Sequence, residues 1–166
     1  MTPAQREHAK HLCDLLYGHR GQLAYPPGDR RSGWDSYDWG LSEAQLTTLL
    51  MHGHGVQWDC SEMASWVYKC VGAWPAVRGP GYTGTWLQLG LQRYHDGKGA
   101  GLAAPVVFGI DLVPTGEHMG LVYAPDFKHG DPLIAQHGRP GFDLLPLSQT
   151  AAAFRGSYTF LNVSRM

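Results

Sequence analysis

The chain has 166 residues, with Lys+Arg 13 against Asp+Glu 14 and a formal net charge of −1, which argues against a nucleic-acid partner recognised through a basic field. Its composition, 43% hydrophobic and 16% charged, supplies enough apolar material for a core and too little charge for a disordered chain. No apolar run approaches the roughly 18 residues a membrane-spanning helix needs. Membrane insertion is therefore not expected.

The segment Met1–Lys10 is polar, so no secretory leader is expected and synthesis in a cytoplasm is the expectation. Gly 22 and Pro 11 predict long loops between short elements. No repeat, low-complexity tract or linker divides the chain, so one domain over 1–166 is expected, with a monomer as the default state.

Ala9, Leu12, Cys13, Leu15 and Leu16 fall largely on one stripe, which predicts an amphipathic helix over 4–17 that stops at Gly18. Residues 18–41 read as loop. Ser42, with Gln45 three residues on, forms a capping-box signature for a helix from Glu43 to about Met51. Met63, Trp66, Val67, Cys70 and Val71 then keep helical spacing after Asp59 as N-cap, and Gly72 closes that helix. A further helix is expected over Trp86–Tyr94. From there strands are expected at Val106–Phe108, Ile110–Val113, His118–Tyr123, Leu133–His137 and Ser157–Val163. Helices first and strands afterwards predict an α+β domain, its helices packed on an antiparallel sheet of about four to six strands.

Three cysteines, Cys13, Cys60 and Cys70, make no disulfide framework and match no zinc pattern. Cys13 and Cys70 read as packing thiols. Cys60 opens the strongest predicted helix, where unpaired amide groups and the helix dipole favour a thiolate and offer donors to an oxyanion. His118 begins a predicted strand with the small Gly120 beside it, which leaves room for a substrate or a helix end. His137 ends the next strand. Pairing Val122 with Leu133 would set His118 opposite His137 on one face, giving a nucleophile, a base and an orienting ring. Asp111, Glu117 and Asp126 are rivals for the third place. His52 and His54 have no acidic or Cys ligand at fitting spacing, so no metal site is expected. The aromatic stretch Tyr25 to Trp39, which includes Trp34 and Tyr37, either lines a binding groove or packs onto its own domain.

Five short motifs fall in one order: Asp59-Cys60-Ser61 at a helix start, Gly81-Tyr82-Thr83-Gly84-Thr85, the His118-X-Gly120 strand, Gln136-His137-Gly138, and Leu145-Pro146-Leu147. This ordered set resembles the NlpC-like cysteine peptidases of the papain-like superfamily, above all the peptidase domains of lysin A endolysins from phages of actinobacteria. It spans residues 58 to about 160. The chain departs from that pattern at Ala104-Pro105-Val106, where Pro-Gly-Asp is common, and at Gln136, where Ser commonly precedes the His.

The resemblance implies a papain-like fold and a cofactor-free peptidoglycan endopeptidase. Cys60 would be its nucleophile, His118 its base and His137 its orienting residue. Trp58, Asp59, Ser61, Tyr82 and Tyr37 would support the site or touch substrate, and Arg30, Arg31 and Arg78 are candidates for meeting acidic groups of stem peptides. Such a protein would act on the cell wall after release from the host cell or as part of a virion. A Cys/His acyltransferase, an N-acetylmuramoyl-L-alanine amidase and a non-catalytic wall-binding module are the alternatives.

Overall fold

A computed structural model describes residues 1–25, 37–74, 81–95 and 101–163. The predicted N-terminal helix is α1 (Pro3–Gly18), started by a Thr2–Gln5 capping box with Pro3 in its first turn. Ser42 and Gln45 form the expected box at the start of α2 (Glu43–Met51). Asp59 caps α3 (Cys60–Cys70) together with Glu62. Every residue of α3 from Cys60 to Tyr68 is buried, so it is the central helix of the fold and not a surface one.

The strands form a mixed-length antiparallel sheet in the order β3-β8-β4-β5-β6-β7, comprising β3 (Arg93–Tyr94), β4 (Pro105–Phe108), β5 (His118–Ala124), β6 (Leu133–Gly138), β7 (Gly141–Pro146) and β8 (Tyr158–Leu161). A separate parallel pair joins β1 (Leu23–Ala24) to β2 (Val56–Gln57), which brings Ala24 and Tyr25 beside the start of α3. The architecture is α+β, with the sheet buried on both faces. Met119, Leu121, Ala135, Val107 and Phe142 pack with α1 and α3 on one side. Val106, Phe108, Val122, Ile134 and Phe160 pack with Leu147 and Ala151 of α5 (Leu147–Ala153) on the other. No helix among the described residues is long and apolar enough to cross a membrane.

Two expected elements are replaced. In place of a helix over Trp86–Tyr94, α4 spans Thr83–Gln88 and the chain turns at Gly90 (φ +68°) into β3, where Arg93 pairs with Leu161. Ile110–Val113 is a turn, because Gly109 at φ +73° leaves the strand and its carbonyl accepts from both Leu112 and Val113. The pair β7 and α5 was not expected; Pro146 stands between them.

The register of β5 on β6 also differs from expectation. Ala124 pairs with Leu133, but Val122 pairs with Ile134 and Gly120 with Gln136, because a bulge at Tyr123 places one extra residue in β5. Near the turn the pairing is offset by two from the assumed one, which preserves side-chain parity. The bulge then changes the offset by one, and a one-residue change moves a strand's side chains to the opposite face. β5 leaves no space for a side chain at Gly120, where it pairs with Gln136 of β6. A Cβ there would lie 2.6 Å from Ile134 Cγ2 and 2.8 Å from the Ala135 carbonyl.

Candidate active site

Asp59 is the N-cap that sequence reading assigned to it. Its Oδ1 accepts from the Ser61 amide at 2.8 Å, the Glu62 amide at 2.8 Å and the Ser61 hydroxyl at 2.7 Å, while Glu62 accepts from the Asp59 amide at 2.8 Å. These bonds fix the first turn of α3 and with it Cys60. Ser61 is thereby committed to the cap, and it is buried.

The Cys60 thiol is buried against the amides of Met119 and Ser61 and the hydroxyl of Tyr25. Burial pushes its pKa up to about 12, and the Asp59 charge adds to this; the two amides and the Tyr25 hydroxyl oppose the rise. The helix terminus therefore does not overcome desolvation, and the thiol is protonated at neutral pH. Burial likewise raises the Tyr25 hydroxyl above its ordinary value, reinforced by the charges of Cys60 and Asp59.

His118 arrives at the start of β5 on the α5 side of the sheet. Its ring stacks on Phe154 (centroids 5.4 Å apart, planes at 7°) and lies 5.9 Å from Phe108. Nε2 lies 2.7 Å from Gln136 Oε1. An amide oxygen only accepts, so Nε2 carries the proton and Nδ1 presents a lone pair. Burial lowers the His118 pKa to about 4, with the Gln136 bond opposing the fall. The imidazole is thus a neutral base at pH 7.

The expected His118–His137 pairing is not formed. With the register shifted, Gln136 holds the position on the His118 face, and His137 points to the other side. There its Nε2 donates to the Ala24 carbonyl at 3.2 Å, and its ring lies 5.6 Å from that of Tyr25. His137 Nδ1 is buried with no hydrogen-bond partner among the described residues. Burial lowers the His137 pKa, against the pull of the Ala24 and Trp58 carbonyls. His137 ties β6 to the segment that carries Tyr25.

Cys60 and His118 do not face each other across one sheet face as expected. The thiol contacts the amide of Met119 from the α3 side, whereas the imidazole of the preceding residue lies on the α5 side. Tyr25 connects them. Its hydroxyl meets the thiol, and the residue lines a cavity of about 400 Å³ together with His118 and Gln136. Tyr25 belongs to the aromatic stretch singled out by sequence, but nothing in the sequence distinguished it from its neighbours. Gln136 stood beside the expected residue, one position away.

The other candidates separate cleanly. Trp58 is fully buried and packs on Trp66 at 5.2 Å, so it serves the core and does not meet substrate. Tyr82 precedes α4 and accepts from Gln88, covering Gly84 away from the cavity. Trp39 packs onto α3, donating to Ser65 Oγ at 3.0 Å with Lys69 over its ring. Asp111 and Asp126 are exposed outside the cavity, while Glu117 lines it. His52 is exposed and bonded to the Thr48 carbonyl. Trp34, Arg30, Arg31 and Arg78 lie outside the described residues, as does the side chain of Tyr37.

No family model, curated protein or solved structure matches the chain.

Proposed function

We propose that the chain is a thiol-dependent amide hydrolase of papain-like type that cuts peptidoglycan stem peptides or cross-links. The observation that carries this reading is the 2.7 Å bond from His118 Nε2–H to Gln136 Oε1, which leaves Nδ1 as the basic nitrogen of a ring that lines one cavity with Tyr25, whose hydroxyl meets the thiol of the helix-start Cys60. The ordered motifs around Cys60, His118 and Leu145 support the wall peptide as substrate.

In this reading Gln136, and not His137, orients the base. The reaction starts from a neutral thiol and a neutral imidazole. The Cys60 proton is relayed through the Tyr25 hydroxyl, which bonds the thiol and lines the His118 cavity, to His118 Nδ1 as sulfur attacks the amide carbonyl and the C–S bond forms. The C–N bond then breaks, and the Nδ1 proton goes to the leaving amine. Water attacks the thioester with Nδ1 as base, which releases the carboxylate and restores the thiol. Asp59 already occupies the amides of Ser61 and Glu62, so the Cys60 amide is the first-turn donor left to meet the oxyanion.

Product analysis on purified peptidoglycan tests the reading. Hydrolysis releases new amines and carboxyls in equal number, and Cys60→Ala abolishes both. A shifted cross-link without net release would instead establish transfer. Sedimentation of the protein with walls, without products, would leave only a binding module.

A further inference from the structure

The cavity beside His118 carries two charges that the hydrolytic step does not use. Arg139 sits in the two-residue turn between β6 and β7, where Gly138 pairs with Gly141 and Pro140 follows directly. Pro140 fixes its own φ and Gly141 adopts φ +117°, so the backbone at this turn is constrained. Glu117 immediately precedes His118 on the strand side of the same cavity. Among the described residues neither side chain makes an ion pair or a hydrogen bond, although both line one cavity. Leu145 and Phe154 give that cavity an apolar wall.

An unpaired guanidinium is a planar donor suited to a carboxylate, and an unpaired carboxylate is suited to an ammonium group. We infer that this cavity is the specificity subsite of the enzyme, in which Arg139 binds a free carboxylate and Glu117 a free amino group of the peptide segment next to the scissile bond. The substrate class is thereby a peptide carrying both charges close together, in preference to a neutral or amidated one. Arg139 also shares the cavity wall with Tyr25, whose hydroxyl meets the Cys60 thiol, so a carboxylate held by Arg139 sits in the same cavity as that hydroxyl.

This inference rests on the proposed hydrolase reading, and its test separates the two. The probes are a synthetic stem tetrapeptide with free carboxyls and amines, the same peptide with its carboxyls as primary amides, and the same peptide with its amines acetylated. For the wild type, amidation and acetylation are each expected to lower kcat/KM about tenfold or more, mainly through KM. Arg139→Ala is expected to show the tenfold loss on the free peptide and no further loss on amidation, with Arg139→Lys recovering part of it. Glu117→Gln is expected to behave in the same way towards acetylation.

Both residues are exposed at the cavity rim, so the variants retain the fold. Equal losses on charged and neutral peptides, or no loss on either, would overturn the inference. Calorimetric binding of the three peptides to Cys60→Ala gives the second readout. Charge-selective binding without cleavage by the wild type would sink the hydrolase reading alone. Cleavage without charge selectivity would sink the subsite alone.

Discussion

His118→Ala is expected to lower kcat on peptidoglycan roughly 10³-fold, the usual scale for loss of a positioned general base. The loss should arise in the chemical step, because the His118 ring is held by Phe154 and Gln136 in a cavity wall and does not carry the substrate's charges. Gln136→Ala is expected to cost less, about 10- to 100-fold, since the base survives but its tautomer and orientation are no longer fixed. His137→Ala provides the contrast. It removes the bond to the Ala24 carbonyl and the packing on Tyr25, so its principal effect is on stability, with kcat staying within about tenfold of the wild type. Steady-state kinetics with thermal melting for all three variants checks this order. A dead His137→Ala that melts like the wild type, beside an active Gln136→Ala, would return the orienting role to His137.

Folding stability is expected to fall as pH drops from about 6.5 to about 4. Burial depresses the His118 pKa to about 4 in the folded chain, whereas the ring titrates near 6.5 when exposed. Between these values the unfolded chain binds more protons than the folded one, so stability rises with pH across the window. The contribution is present above pH 6.5, and it is lost as pH falls through the folded value. A difference of this size corresponds to about 3 kcal/mol. His137 is shifted in the same direction and steepens the effect. Urea unfolding at pH 7.5 and pH 4 measures it, and His118→Gln should remove most of the His118 share. A wild-type stability that is flat across the window would contradict a buried neutral imidazole.

Much of this fold is legible in local sequence. The Ser42–Gln45 box and the Asp59 cap start their helices where side-chain chemistry requires it, and the strands of the second half carry their β-branched and aromatic residues openly. What escaped was non-local or compositionally ambiguous. Trp86 to Tyr94 has helical spacing, but Gly90 and pairing with β8 divide it between a short helix and an edge strand. The segment Leu147–Ala153 is rich in Ala and follows Pro146, a pattern that only its packing beneath the sheet makes compelling.

The site divides along the same line. The places of Cys60 at a helix start and His118 at a strand start follow from local features. The third residue depends on a bulge at Tyr123, whose hydroxyl bonds Asp14 on α1 at 2.5 Å, a contact that no local pattern contains. That single extra residue puts Gln136 on the His118 side of the sheet and His137 on the opposite side. Arg139 is illegible in the sequence for a related reason. A lone Arg in a turn is unremarkable until the hairpin carries it to the rim of the cavity that His118 lines.

The most direct test of the account is the intact mass of the chain, acid-quenched during turnover of a stem tetrapeptide. A transient adduct with the mass of the acyl fragment is expected, localised to Cys60 by peptide mapping, with neither adduct nor cleavage in Cys60→Ala. Cleavage by Cys60→Ala at the wild-type rate would contradict it.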